Sequence, residues 1–214
     1  MRIPNHIGII PDGNRRWAES QGLSKEKGYS LGGIAPGILL FKLCQNVGIN
    51  EITYYGFTTD NTKRPSIQKS AFVKACIDAV KILSNENAEL LVVGNTESKS
   101  FPKELLPYTT RRVFGKGGIK INFLVNYGWE WDLNSLKSYP DNSKSVIPMI
   151  RSNDISRIDL IIRWGGRRRL SGFLPVQSVY SDFYIIDDYW PDFKPEHFYK
   201  ALEWYNTQDI TLGG

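Results

Sequence analysis

HIGIIPDGNRRW, residues 6–17, joins an apolar run to a turn that contains glycine, an acid and two arginines. Residues 7–10 are continuously apolar, which is typical of a strand covered on both faces. Residues 66–87 instead place apolar side chains three and four positions apart, as an amphipathic helix does. Alternation of such segments predicts an α/β fold with a mainly parallel central sheet flanked by helices on both faces. The further strand-like runs are residues 52–57, 90–93, 119–125 and 160–162.

Composition excludes several classes of protein. The chain has 214 residues, of which 41% are hydrophobic and 23% charged. This is the composition of a folded globular domain, and we expect one domain over residues 1–214. No apolar run approaches the ~18 residues that a membrane-spanning helix needs. Cys44 and Cys76 lack the spacing of a disulfide or metal motif, which indicates a reducing compartment and a cytoplasmic location.

The charged residues limit the possible ligands. Only two histidines are present, so a zinc site and a histidine-based triad are disfavoured. Any metal is expected to be a hard cation bound by carboxylates and phosphates, that is, Mg²⁺. The net charge of +5 suits phosphorylated small molecules, a peripheral contact with a membrane surface, or nucleic acid. The positions of the basic residues must decide between these partners.

Polar loops follow three of the predicted strands, at residues 11–17, 58–64 and 163–171. Ligands bind at the carboxyl ends of strands in open parallel sheets. Glycine lets backbone N–H groups approach an anion, and arginine pairs with phosphate in a bidentate manner. The first and last loops therefore predict two phosphate-bearing groups bound side by side. Asp12 would repel phosphate, unless Mg²⁺ lies between them.

Two further patterns bear on the ligand. The basic residues lie in glycine-containing turns rather than along a helix face, which argues against nucleic-acid binding. Small residues are concentrated in two predicted helical segments. They indicate either close helix packing or an apolar cleft for a hydrocarbon chain that leads away from the phosphate site. These small residues include Gly33, Gly37, Ala75, Cys76 and Ala79.

Six ordered blocks resemble the cis-prenyltransferase, or undecaprenyl diphosphate synthase, family. HIGIIPDGNRRWA (6–18) resembles the family's first signature, and YGFTTDNTKRP (55–65) is similar to F-S-x-E-N-W-x-R-P. DLIIRWGGRRRLSGFLP (159–175) is similar to I-R-x-G-G-x-x-R-x-S-N-F. The remaining blocks are INFLVNYG (121–128), VYSDFY (179–184) and WPDF (190–193). The resemblance implies a Mg²⁺-dependent homodimeric prenyltransferase that condenses an allylic prenyl diphosphate with a second C5 diphosphate, isopentenyl or dimethylallyl.

Site residues are carried over from matching positions. The resemblance implies that Asp12 is the essential acid holding Mg²⁺ on the allylic diphosphate, that Asp182 is a further metal ligand, and that Asn61 takes part in proton removal. Arg163, Arg169 and Ser171 would bind the second diphosphate. The allylic diphosphate would be bound by Gly13, Asn14, Arg15, Arg16, Trp17, Lys25, Thr58 and Arg64, with Tyr29 nearby. An allylic cation is stabilised by aromatic faces, and we expect Tyr29 and Phe57 to supply them.

Departures from the family pattern lie mainly near the predicted acceptor and proton-transfer residues. Tyr29 replaces histidine, Trp129 replaces glycine, and Gly172 replaces asparagine. Such changes resemble an atypical branch that includes cyclolavandulyl diphosphate synthase, and this resemblance leaves both a regular and an irregular, head-to-middle condensation open.

Alternative functions on the same fold are cyclisation of a prenyl diphosphate and prenyl transfer to an acceptor that is not a C5 unit. A non-catalytic subunit of a heteromer is a further alternative. The presence of Asp12, Arg163, Arg169 and Ser171 argues against it.

Overall fold

The computed structural model describes residues 2–138 and 145–209, and a seven-stranded sheet lies at its centre. The strands are β1 His6–Ile10, β2 Glu51–Tyr55, β3 Ala88–Val93, β4 Arg112–Phe114, β5 Ile119–Leu124, β6 Leu160–Arg163 and β7 Asp182–Ile185. Their order across the sheet is β4-β3-β5-β2-β1-β6-β7. Within the described residues, each strand pairing is parallel except that of β3 with β4. The predicted α/β fold with a mainly parallel sheet is therefore confirmed.

Helices connect most of the strands. They are α1 Asn14–Ser20, α2 Lys27–Gly32, α3 Ile34–Val47, α4 Ser66–Leu83, α5 Trp129–Leu133 and α6 Pro195–Asn206. Single 3₁₀ turns include Thr59–Lys63 and Trp190–Asp192. The helix predicted at residues 66–87 begins as expected but ends at Leu83, because residues 84–87 form the turn into β3.

The two faces of the sheet are covered differently. One face packs against α3, α4 and α6, through side chains such as Phe41, Val80 and Phe198. The other face is covered by Trp131 of the short helix α5 and by non-helical segments that carry Ile155, Ile158, Phe173 and Leu174. Helices on both faces were predicted, and the second face is mostly covered by irregular chain because its core residues lie in turns. No helix of the described ranges is long and apolar enough to cross a bilayer.

Buried polar side chains extend from the amino-terminal ends to the middle of the central strands. Asn122 donates through Nδ2 to Glu51 Oε1 at 2.7 Å and to Thr53 Oγ1 at 2.9 Å. The Ser156 hydroxyl donates to Glu51 Oε2 at 2.7 Å, and His6 Nε2 lies 2.8 Å from Thr53 Oγ1. Burial lowers the pKa of His6. This network joins the neighbouring strands β1, β2 and β5 and leaves their carboxyl ends for a site.

Candidate active site

A cavity of about 480 Å³ lies at the carboxyl ends of β1, β2 and β6. These strands are neighbours, so the loops that follow them meet although they are far apart in the sequence. The predicted site residues that line the cavity are Asp12, Gly13, Asn14, Arg15, Arg16, Lys25, Tyr29, Thr58, Asn61, Arg64, Arg163, Arg169 and Ser171.

Asp12 lies between the first and last of these loops. Its Oδ2 accepts a hydrogen bond from Arg163 Nη2 at 2.7 Å, and its Oδ1 accepts one from the Gly13 N–H at 2.6 Å. Arg16 Nη2 is 3.5 Å from the same Oδ1. Burial acts to raise the pKa of Asp12, but Arg163, the Gly13 N–H and Arg16 together hold it below its usual value. The carboxylate is therefore charged at neutral pH.

The first and last loops are in direct contact because glycine stands at their junction. Gly165 has φ +82°, and a Cβ placed there would lie 2.6 Å from Arg16 Nη2. Arg16 donates from the same Nη2 to the Gly165 carbonyl at 2.9 Å. Gly13 has φ +101°, a conformation that favours glycine, and it leaves no room beside Tyr189 for a side chain. The motif's glycines thus set the spacing of the two loops.

Arg163 organises the loop after β6 from within. Its side chain is 4% exposed, and its Nη1 donates to the Arg169 carbonyl and, at 3.0 Å, to Ser171 Oγ. The hydroxyl of Tyr55, at the end of β2, donates to the Ser171 carbonyl at 2.7 Å. Arg163 thus stabilises the loop after β6 and also pairs with Asp12.

Positive charge predominates around the cavity. Seven cationic side chains face three carboxylates, Asp12, Glu19 and Asp60. Lys25 pairs with Glu19 at 3.0 Å. The guanidinium groups of Arg15, Arg167 and Arg169 make no hydrogen bond or ion pair within the described ranges. The cations are Arg15, Arg16, Lys25, Arg64, Arg163, Arg167 and Arg169.

Asn61 contributes from the loop after β2. Its Oδ1 accepts the Thr58 backbone N–H at 3.0 Å, which fixes the orientation of the amide. The Nδ2 group is therefore the part of this side chain left for a ligand, and it is a hydrogen-bond donor.

Aromatic side chains close the inner end of the cavity. Tyr29 stacks on Phe72 with ring centroids 4.5 Å apart, and Arg64 Nη1 donates a short hydrogen bond to the Tyr29 hydroxyl. Burial raises the pKa of Tyr29 despite the nearby cations. The sequence suggested that Phe57 faces the substrate, but Phe57 does not line the cavity. Its ring is buried in the core, in an edge-on contact with Phe72. Phe72, on α4, provides the second aromatic face.

An apolar cleft of about 70 Å³ continues inward from the polar cavity. The small residues of α3 and α4 do line this cleft, so they contribute to a cavity as well as to packing. Tyr54 donates to the Gly37 carbonyl at 2.8 Å and Trp190 to the Gly33 carbonyl at 2.9 Å, which ties the inner wall together. The lining residues shared with the polar cavity are Pro11, Asn14, Tyr29, Tyr55, Gly56 and Phe72.

Two predicted site residues lie elsewhere. Trp17 projects from α1 away from the cavity, and its Nε1 donates to Asp192 Oδ1 at 2.9 Å. Asp182 begins β7 at the amino-terminal edge of the sheet, 3.8 Å from Arg2 Nη2. Within one chain, Asp182 is therefore not beside Asp12. The motif alone does not specify at which end of its strand Asp182 lies.

Sequence reasoning missed five lining residues with side-chain chemistry, Glu19, Tyr55, Asp60, Phe72 and Arg167. Tyr55, Asp60 and Arg167 lie at or just after strand ends, and that position was an available signal. Glu19 and Phe72 lie on helices, and only the tertiary packing brings them to the cavity.

Comparisons with known proteins agree with this geometry. A family model described as "Putative undecaprenyl diphosphate synthase" matches residues 10–213. A (2E,6E)-farnesyl-diphosphate-specific ditrans,polycis-undecaprenyl-diphosphate synthase from Pectobacterium atrosepticum is 32% identical, over 99% of this chain and 90% of the relative. An isoprenyl transferase from Shouchella clausii is 30% identical, over 100% of this chain and 90% of the relative.

A similar fold occurs in a solved structure. The crystal structure of lavandulyl diphosphate synthase from Lavandula x intermedia, in complex with dimethylallyl diphosphate, superposes with a TM-score of 0.84 at 22% identity. The match covers 99% of this chain and 98% of that one. The extent of the family match and the identity to full-length relatives leave one assignment. This chain belongs to the undecaprenyl diphosphate synthase family, the cis-prenyltransferases, and is a prenyltransferase that condenses prenyl diphosphates.

Proposed function

We propose that the chain condenses an allylic diphosphate with a second C5 diphosphate, isopentenyl or dimethylallyl, in the cavity between its first and last loops, with Mg²⁺ as cofactor. The observation that carries this proposal is the meeting of two glycine–arginine loops around Asp12, next to an apolar cleft. The excess of cations suits two anionic head groups better than one. The loop that carries Asp12 would bind the allylic diphosphate, and Arg169 and Ser171 would bind the second.

Asp12 fits a magnesium ligand. Mg²⁺ is usually held by one or two carboxylates together with substrate phosphates, and it does not need a cage of protein ligands. A charged Asp12 facing a phosphate-sized cavity meets that requirement. No group of three His, Cys, Asp or Glu side chains that could hold a metal ion occurs among residues 2–138 and 145–209. Bound there, Mg²⁺ would neutralise charge on the leaving diphosphate.

The chain's own side chains would promote ionisation of the allylic substrate. Its C–O bond breaks and the electron pair leaves with the diphosphate, whose charge Arg15 and Arg16 would stabilise. The rings of Tyr29 and Phe72 would face the allylic cation at the mouth of the cleft. The double bond of the second substrate then attacks the cation to form the new C–C bond. A proton must leave the resulting cation.

Asn61 is better suited to orient a diphosphate than to remove that proton. Its amide oxygen already accepts the Thr58 N–H, and its Nδ2 donor has no hydrogen-bond partner in the described part of the chain. An amide nitrogen is not a base, so the released diphosphate is the more suitable proton acceptor. We therefore assign Asn61 as a donor to a diphosphate oxygen, and this replaces the role expected from the sequence.

The apolar cleft sets the length of the allylic substrate. An apolar protein cavity of roughly 150 Å³ accommodates benzene, with its six carbons. The cleft here has about half that volume, 70 Å³, and Tyr54 and Trp190 are hydrogen-bonded across its inner wall. We propose that a C5 chain enters it only in part, with its remaining carbons in the mouth shared with the polar cavity, and that a farnesyl chain is excluded. This argues against cyclisation of a long prenyl diphosphate.

A product assay tests the proposal. Purified protein is incubated with Mg²⁺ and labelled dimethylallyl diphosphate, alone, with isopentenyl diphosphate, or with farnesyl diphosphate plus isopentenyl diphosphate. We expect C10 products and little use of the farnesyl primer. Mass and NMR analysis of the product distinguishes irregular head-to-middle coupling from regular coupling.

Three outcomes separate the alternatives. Long polyprenyl products would refute the cleft argument, and turnover of one allylic diphosphate without a C5 partner would favour cyclisation or another acceptor. Absence of any prenyl product would favour a non-catalytic subunit.

The homodimer and the peripheral membrane contact inferred from the sequence stay proposals. Exposed Leu31 and Leu39, with Lys42 beside them, would form the apolar and basic surface that such a membrane contact requires. Light scattering measures the oligomeric state, and flotation with anionic vesicles measures membrane binding.

A further inference from the structure

The turn formed by residues 169–172 is held from two sides. On its inner side, Arg163 donates to Ser171 Oγ at 3.0 Å and Tyr55 donates to the Ser171 carbonyl at 2.7 Å. On its outer side, the indole of Trp129 lies directly against Gly172. The turn that presents Ser171 and Arg169 to the cavity is thus enclosed between the site and this indole.

The space beside Gly172 is occupied by the Trp129 indole, so a side chain at position 172 would collide with it. A Cβ at position 172 would lie 2.6 Å from Trp129 Cδ1, and the backbone there has φ +76°. The family pattern has asparagine at position 172 and glycine at position 129, so this chain has the reverse arrangement of large and small residues. The side-chain volume beside the turn is therefore supplied from α5 instead of from the turn itself.

The backbone that carries Trp129 is fixed by its neighbours. Trp129 is the first residue of α5, and the preceding Tyr127 accepts the Thr59 N–H through its carbonyl at 2.8 Å. The Tyr127 hydroxyl donates to Asp132 Oδ2 at 2.8 Å. A Cβ at Gly128 would lie 2.7 Å from Thr59 Oγ1, so this segment packs tightly against the loop after β2. The backbone from which the indole projects is consequently held against the loop after β2.

We propose that Trp129 is a positioning residue for the second substrate: by covering Gly172 it holds the 169–172 turn in the conformation that binds the second diphosphate. This inference rests on the proposed function, because that function assigns the turn to the second diphosphate. Trp129 is 44% exposed, so it contributes less to the core than a buried tryptophan. Its contact with Gly172 is the feature that gives it a role at the site.

A double-mutant cycle tests the contact. The variants are Trp129→Ala, Gly172→Asn, and both together. Asparagine is among the non-glycine residues that best tolerate a positive φ, so Gly172→Asn introduces mainly the clash with the indole. Trp129→Phe keeps an aromatic ring over the turn. Tyr199→Ala is a matched control, because Tyr199 is a 42% exposed aromatic residue on α6.

We expect each single variant to raise KM for the second diphosphate about tenfold, with kcat and the allylic KM changed less than about twofold. The double variant should recover most of the loss, since contacting residues are strongly coupled. Trp129→Phe should lie close to the wild type, and Tyr199→Ala should not change either KM. An unchanged second KM in Trp129→Ala, or a double variant no better than Gly172→Asn, would overturn the proposal.

A binding measurement separates this inference from the proposed function. Calorimetric titration with inorganic pyrophosphate needs no turnover and can be performed on every variant, with thermal unfolding as the check on folding. If the wild type binds pyrophosphate but condenses nothing, the proposed function fails, while weaker binding in the single variants and recovery in the double variant still support the role of Trp129. If condensation proceeds and neither KM nor pyrophosphate affinity responds to Trp129→Ala, the role of Trp129 alone fails.

Discussion

The two ends of the central strands carry polar residues in opposite states. From the amino-terminal end to the middle of these strands, Glu51, Thr53 and Asn122 are at most 3% exposed and are hydrogen-bonded to one another or to their neighbours. At the carboxyl end, Arg15 and Arg169 face a cavity and have no ion-pair partner in the described part of the chain. Polarity alone does not separate the two ends. Unpaired charge around an open volume distinguishes the binding site from a structural network.

The largest expected effect belongs to Asp12 at the carboxyl end. We expect Asp12→Ala to lower kcat by about 10³-fold, because it removes the metal ligand and the electrostatic organisation around the leaving group. Arg163 keeps its bonds to Ser171 and to the Arg169 carbonyl, so the fold should persist. Steady-state kinetics at saturating Mg²⁺ and thermal unfolding measure the two effects. Turnover near that of the wild type would contradict the assignment of Asp12.

Glu51 provides the opposite case at the amino-terminal end. We expect Glu51→Ala to lower the free energy of unfolding by about 2–3 kcal/mol, since the buried Asn122 amide and the partly buried Ser156 hydroxyl lose a charged acceptor. At 25 °C, kcat should stay within about twofold of the wild type. Urea unfolding and the product assay measure these quantities. A variant that lost turnover but kept its stability would show that the network takes part in the reaction.

Much of the site could be predicted because glycine, arginine and aspartate recur just after buried strands. A parallel sheet places the carboxyl ends of neighbouring strands together, so the loops around Asp12, Asn61 and Arg163 had to meet if their strands were adjacent. The order of strands is not written in any one motif. The blocks that resemble a known family predicted the α/β fold, but the order of the strands came from the structure.

Three residues lie elsewhere than the sequence led us to expect, because of the direction of a side chain or its place along a strand. Trp17 follows Asp12 by five residues in the same motif, but helix α1 directs its indole toward Asp192. Phe57 follows β2 and points into the core, whereas Phe72 reaches the cavity from α4. Asp182 lies at the amino-terminal end of its strand, away from Asp12, and its role as a metal ligand stays a prediction. Neither helix rotation nor strand register can be deduced from a short run of residues.

Two glycines with nearly the same φ allow a further comparison between the two ends of the strands. Gly165 in the site has φ +82°, and Gly48, just before β2 at the amino-terminal end, has φ +83°. We expect Gly48→Ala to cost about 1–2 kcal/mol of unfolding free energy from the left-handed backbone alone, since no atom lies within 4 Å of its added Cβ. Gly165→Ala should cost more and also lower turnover, because its Cβ would displace Arg16. Equal effects of the two variants on turnover would show that the contact between the loops does not matter.

The smallest effect tests the rule of unpaired charge within a single loop. Arg168 and Arg169 are adjacent and exposed, but only Arg169 lines the cavity. We expect Arg169→Ala to raise KM for the second diphosphate about tenfold, since a hydrogen bond to a charged group contributes roughly 1.5–3 kcal/mol before solvent screening. Arg168→Ala should change that KM less than about twofold, although it removes the same charge from the loop. Steady-state kinetics at low and at physiological ionic strength measure both, and salt should reduce the difference. Equal effects of the two variants would mean that the loop attracts the substrate only by its net charge, because a specific contact depends on which side chain reaches the cavity.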